Sequence, residues 1–263
     1  MNAIQTRSIR DSVPLAATPE AVWEALTAAS EIPRWFAPSA RVAPGLGGAI
    51  ELSWGPEMTA RGRIVEWAPP GRLAVEEESG LREEYTIRKT AEGAVLELVH
   101  SGFPLGSEVD DQFDAITNGW KSFFAMLQHG LARHAGEPYV NVTAFAALAE
   151  SRDRAWEEIA APGGVARQGL SHPQPGQQLR LELATGESIR AEALHCSWPG
   201  YLVLAAEDLD DSLFSLFCER NSEGSLLTVT WILYGGAREQ AARIRAGWTE
   251  WVQEQGRAAR AEE

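Results

Sequence analysis

His100 offers this chain its most versatile chemistry: an imidazole closing the apolar run Leu96-Glu97-Leu98-Val99-His100 could act as acid or base near neutral pH. Tyr85 and Arg34 are the other groups suited to guiding a proton or a hydrogen bond. No partner acid for His100 can be picked out, and a histidine at a strand end is also an ordinary hydrogen-bonded residue. Carboxylates fall in three groups, Glu76-Glu77-Glu78, Glu83-Glu84 and Asp110-Asp111-Asp114. At strand ends and a helix start such groups read as solvated or dipole-paired. His129 and His134, five apart on an expected helix, should diverge, and His195 and Cys196 should face opposite sides of a strand, so no metal site is expected. GxSxG, Walker and dinucleotide fingerprints are missing, and Gly45-Leu46-Gly47-Gly48 precedes a strand and reads as a turn. No catalytic residue and no cofactor is assigned, and the balance leans away from an enzyme.

These side chains need a scaffold, and its elements are readable. Residues 9–15 alternate loosely as a strand; Thr18-Pro19-Glu20 then supplies an N-cap, a proline at the first helical position and an early acid. The helix from Pro19 to Ala28 carries Val22, Ala25 and Leu26 on its apolar stripe, and Ile32-Pro33-Arg34-Trp35-Phe36 breaks it. Trp35 and Phe36 look exposed and either close a core or guard an opening. Period-two runs follow, Ile50/Leu52/Trp54, Leu73/Val75/Glu77, Tyr85/Ile87 and Leu96/Leu98/His100, as in an antiparallel meander with one buried face. Residues 109–133 switch to helical period, with Phe113, Ile116, Trp120, Phe123, Phe124, Leu127 and Leu131 along one stripe. That stripe must bury itself in the concave face of the sheet, giving an α+β fold in which a cavity often remains between the two.

The second half of the chain is a worn copy of the first. Pro44 to Gly55 aligns without a gap to Pro175 to Gly186, 131 residues downstream. Trp23-Glu24 returns as Trp156-Glu157, Pro70-Gly71-Arg72-Leu73 as Pro199-Gly200-Tyr201-Leu202, Glu92-Gly93 as Glu223-Gly224, and Gly119-Trp120 as Gly247-Trp248. A period this long means duplication of a whole domain, not a solenoid. The expected domains are 1–136 and 137–263, joined by a short link around Gly136-Glu137-Pro138. In the alignment His100 becomes Trp231 and Tyr85 becomes Leu216, which suggests one open pocket and one filled pseudo-pocket.

The net charge is −14, with 12 basic and 18 acidic residues in 1–135 and 11 and 19 in 136–263. Neither half has the basic footprint of a nucleic-acid binder. No run reaches the roughly 18 apolar residues of a membrane span and the N-terminus lacks a secretion signal, so membrane insertion is not expected and the protein reads as cytoplasmic. Cys196 and Cys218 fall in apolar strand-like segments and read as reduced, buried thiols.

Pro19-Glu20-Ala21-Val22-Trp23-Glu24-Ala25-Leu26, Arg34-Trp35-Phe36, Gly47-Gly48, Gly62 to Leu73, Val99-His100-Ser101-Gly102-Phe103 and Gly119-Trp120 resemble the Hsp90-ATPase-activator-homologue branch of the START-like (SRPBCC, helix-grip) superfamily. The resemblance covers residues 9–134. It implies two tandem helix-grip domains, each a curved antiparallel sheet wrapped around a long C-terminal helix. The second copy has no counterpart of Arg34-Trp35-Phe36 and carries instead a glycine- and proline-punctuated stretch, residues 161–175. The first cavity would be walled by Leu52, Trp54, Val75, Ile87 and Leu98 from the sheet and by Trp120, Phe124 and Leu127 from the helix. Trp35 and Phe36 would lie over it, with Tyr85 and His100 as polar handles. Such a wall suits an apolar small molecule, with the second domain structural. The alternatives are a cyclase- or hydratase-like enzyme using His100 or Tyr85, and an interaction protein with a chaperone of the Hsp90 type or with a second copy of itself.

Overall fold

The computed structural model describes residues 6–55, 58–106, 110–222 and 224–261, without the side chains of 111, 112 and 258–261. Val109, Glu223 and the Asp111 side chain therefore lie outside the described residues. The chain divides into two compact units, 1–135 and 136–263.

In unit 1 a seven-stranded antiparallel sheet runs in the order β1-β7-β6-β5-β4-β3-β2. Its strands are β1 Thr6–Leu15, β2 Ser39–Ala43, β3 Ala49–Ser53, β4 Thr59–Ala68, β5 Arg72–Glu77, β6 Arg82–Lys89 and β7 Ala94–Pro104. Helix α1, Pro19–Thr27, begins where the capping signal places it: the Thr18 hydroxyl accepts the Ala21 N–H at 3.3 Å, and Val22, Ala25 and Leu26 are buried. Thr18→Ala should cost about 1 kcal/mol in a urea melt, the usual worth of an N-cap. Helix α2, Asp110–Arg133, lays Trp120, Phe124 and Leu127 into the core. Trp35 departs from its exposed look. It is 2% exposed, and its indole N–H donates to the Ala25 carbonyl at 3.0 Å, tying the segment after α1 back onto that helix.

Unit 2 repeats the order: β8 Val140–Leu148, α3 Arg152–Ala160, β9 Gln178–Glu182, β10 Ser188–Ser197, β11 Tyr201–Ala206, β12 Ser212–Arg220, β13 Ser225–Leu233 and α4 Ala241–Ala261. Its sheet has six strands, β8-β13-β12-β11-β10-β9. The strand that would answer to β2 is missing, and residues 161–177 stand in for it with buried Val165 and Ala166 and one bridge, Ala166 to Leu183. Both copies break register once between the strands that answer to β4 and β5, at Ile64/Glu66 and at Ala193/His195.

Registers give the true correspondence of the copies. Ile64 faces Val75 as Ala193 faces Leu204, an offset of 129, whereas Glu83 faces His100 as Phe214 faces Trp231, an offset of 131. The two extra residues enter at the 3-10 turn Glu207–Leu209 between β11 and β12. The ungapped alignment at 131 is therefore slipped by two residues along β3 and β9. An even slip leaves every side chain on its proper face, which is why the pattern looked consistent.

Candidate functional site

The cavity of unit 1 lies between the concave sheet and the segment that follows α1. It is lined by Leu26, Ile32, Trp35 and Phe36 on one side and by Ile50, Leu52, Ala60, Gly62, Leu73 and Val75 on the other, with Glu77, Glu83 and Tyr85 as its polar groups. Gly62 lets the wall close: a Cβ there would sit 2.2 Å from Val75 Cγ1. About 40 Å3 of the enclosed space is open to water-sized spheres, room for a water or two. Phe36 lines the cavity from within an aromatic cluster. Its ring stacks on Trp35 and Trp120 at centroid distances of 5.1 Å and meets Phe123 and Trp54 edge-on at 4.7 and 5.3 Å.

Of the residues expected at the site, Trp35, Phe36, Leu52, Val75 and Tyr85 line this space. Trp54 is not among the lining residues, though its ring meets that of Phe36. Ile87, Leu98, Phe124 and Leu127 are buried in the core and are not among the lining residues. His100 and Trp120 are joined to each other, the Trp120 indole N–H donating to His100 Nδ1 at 3.0 Å. The ring is otherwise packed on Phe103 and is 5% exposed, and Nε2 has no hydrogen-bond partner. Because Nδ1 accepts, the neutral ring carries its proton on Nε2. Burial lowers the His100 pKa to about 4, so the ring is neutral at pH 7.

Glu83 is the residue that sequence reasoning set aside among solvated carboxylates. Its carboxylate accepts the Tyr85 hydroxyl at 2.7 Å, and the half-buried side chain lines the cavity. Burial raises its pKa to about 7, against the hydrogen bond from Tyr85 and with added repulsion from Glu77. The signal was present in the alternation, since positions 83, 85 and 87 share one face of β6. Its neighbour Glu84 pairs outward with Arg82 at 3.0 Å. Arg34, considered above for proton transfer, is held by Glu31 at 2.7 Å.

At the matching positions of unit 2 every one of these polar groups is gone. Glu83, Tyr85 and His100 correspond to Phe214, Leu216 and Trp231, all at most 1% exposed. Phe214 packs on Trp231 and Trp248 at 4.9 and 5.4 Å. The histidine pair on α2 behaves differently from expectation: His134 lies just past the helix end, where the chain is free to turn, and its ring comes within 5.6 Å of His129. Among the described residues no group of three or more His, Cys, Asp or Glu could hold a metal ion. Both cysteines are free thiols, and burial pushes each up to about 11. No helix of the described residues is long and apolar enough to cross a membrane.

Element order and registers define a tandem pair of START-like helix-grip units, the second a degenerate copy of the first. Residues 16–132, all within the first unit, match the family described as Activator of Hsp90 ATPase homolog 1-like protein. The fold is similar to the solution structure of the Aha1 dimer from Colwellia psychrerythraea, at 16% identity and TM-score 0.44, over 48% of this chain and 96% of that one. It is similar to a protein from Rhodobacter sphaeroides at 25% identity and TM-score 0.40, over 49% and 98% of the two chains. A third similar structure is CalU16 from Micromonospora echinospora, at 25% identity and TM-score 0.37, over 46% and 73%. No curated protein matches the chain.

Proposed function

We propose that unit 1 binds a small hydrophobic molecule in its cavity and that unit 2 is a structural copy whose interior has been filled. One observation carries this reading: a carboxyl and a phenol line an apolar cavity in the first copy, while the second replaces both, and the imidazole paired with that carboxyl's strand position, with apolar side chains at the same ladder positions. Buried polar groups are costly unless they meet partners, so a copy with only a packing role loses them. Phe36 acts as the plug that a ligand displaces, its ring giving up aromatic contacts for those of the ligand. His100 lies outside the lining and is not a base there, since one nitrogen is committed to Trp120 and the other carries the proton. The enzyme alternative loses its expected base on that ground.

Native mass spectrometry of the purified full chain, followed by denaturing extraction, should return a stoichiometric apolar adduct. The neutral fluorescent probe N-phenyl-1-naphthylamine should bind at one site. Val75→Phe, which fills the wall over Gly62, should weaken the probe by roughly tenfold or more, the worth of a few lost methylene contacts. A bare chain that also ignores the probe would remove the reading. It would leave the chaperone interaction suggested by the family description, which a pull-down with an Hsp90-type ATPase addresses.

A further inference from the structure

The polar side of the cavity is acidic and has no counter-charge. Glu77 ends β5 and Glu83 sits in β6; with Tyr85 they are the only polar side chains among the lining residues, and no Lys, Arg or His joins them. Neither carboxylate takes part in an ion pair among the described residues. Glu83 accepts one hydrogen bond from Tyr85, and Glu77 accepts one from the Ser79 hydroxyl at 2.9 Å. Arg82 pairs with Glu84, Arg34 with Glu31 and Arg61 with Glu51, while Arg63 borders a second pocket that Glu77 also reaches and is not among the residues lining this cavity. A buried carboxylate with no cation is among the costlier things a fold can keep. Unit 2, with Phe214 at the equivalent place, has shed that cost.

Resting on the binding role argued above, we infer that the ligand is an apolar amine, cationic at neutral pH, whose ammonium group sits at Glu83 and Glu77 while its hydrophobic body lies against Trp35 and Phe36. The cation would supply the charge that the protein withholds. Displacing Phe36 from its stack between Trp35 and Trp120 would uncover ring faces that attract a cation and tolerate an aromatic or aliphatic body. Carboxylic acids and phosphorylated molecules are excluded by the same two carboxylates, which repel an anion in a site of low dielectric. Glu83's upward shift has burial as its main cause and fits a carboxyl waiting for a cation.

Three probes sharing one naphthyl body separate this inference from the general one: 1-naphthylmethylamine, 1-naphthalenemethanol and 1-naphthoate, titrated calorimetrically into the full chain at about pH 8. The amine should bind roughly tenfold tighter than the alcohol, and the acid should bind more weakly than either. Glu83→Gln should bring the amine down to the affinity of the alcohol and leave the alcohol within about threefold. Glu77→Gln should reduce the same preference in part, and provides the check if the first variant does not fold. Equal binding of all three probes, or tightest binding of the acid, overturns the amine and keeps the apolar cavity. No binding by any of them overturns both.

Discussion

Trp248→Ala should destabilise the second unit by about 3–5 kcal/mol, because a fully buried indole leaves a cavity that its neighbours cannot close. Trp248 is 0% exposed and packs on Phe214 and Trp251 at 5.4 and 5.3 Å. Its counterpart in unit 1 is Trp120, and the two differ in a way that a milder substitution exposes. The Trp248 indole N–H has no hydrogen-bond partner, whereas that of Trp120 donates to His100. Trp248→Phe removes an unsatisfied donor along with some packing and should cost under about 1.5 kcal/mol. Trp120→Phe strands His100 Nδ1 without its donor and should cost about 1–3 kcal/mol for that group alone, on top of the lost area. Equal losses for the two phenylalanine variants in urea melts would argue against the hydrogen bond as the distinguishing feature.

Glu83 and His100 should give opposite pH profiles when each is removed. Glu83 is raised from 4.5 to about 7, first by burial. Between those values the folded protein keeps a proton that the unfolded chain has released, so this stability is complete below about pH 4.5 and lost as pH rises through 7. The linkage amounts to about 3 kcal/mol. His100 is lowered from 6.5 to about 4, again by burial. The unfolded chain takes up a proton below pH 6.5 that the fold refuses, so stability is lost as pH falls from 6.5 to 4, also by about 3 kcal/mol. In the wild type the two slopes oppose each other over nearly the same window and largely cancel. Glu83→Gln should therefore gain on the wild type as pH rises from 4.5 to 8, and His100→Gln should gain on it as pH falls from 6.5 to 4. Urea melts at four pH values, read as variant minus wild type, cancel the other carboxylates. Parallel curves for either variant would mean that its group is not buried as described.

Much of this fold was legible because its signals are local and periodic. The cap at Thr18, the stripe of α2 and the alternation through β5, β6 and β7 each report one side of an element. Even the exchange of His100 for Trp231 and of Tyr85 for Leu216 could be read from the repeat and recurs in the ladders. What stayed hidden depends on tertiary placement. Arg82-Glu83-Glu84 reads as a charged surface run until the pleat turns Glu83 inward beside Tyr85. Trp35 looked exposed because the Ala25 carbonyl that receives its indole N–H is ten residues away on another element. The slip of two residues along β9 was invisible because it preserves strand phase.

Unit 2's residues 161–177 cap its β9 edge with an irregular segment and a single bridge, whereas the first sheet ends on a regular strand, β2. A regular strand at a sheet's margin offers a row of amide donors and carbonyl acceptors that an extended polypeptide can copy. At this margin the two copies thus carry unequal hazards when protein is concentrated or newly made: β2 can template growth, whereas the β9 margin is blunted. Five-residue β2 holds a single charged side chain, Arg41, so that guanidinium is the gatekeeper against intermolecular pairing on this margin.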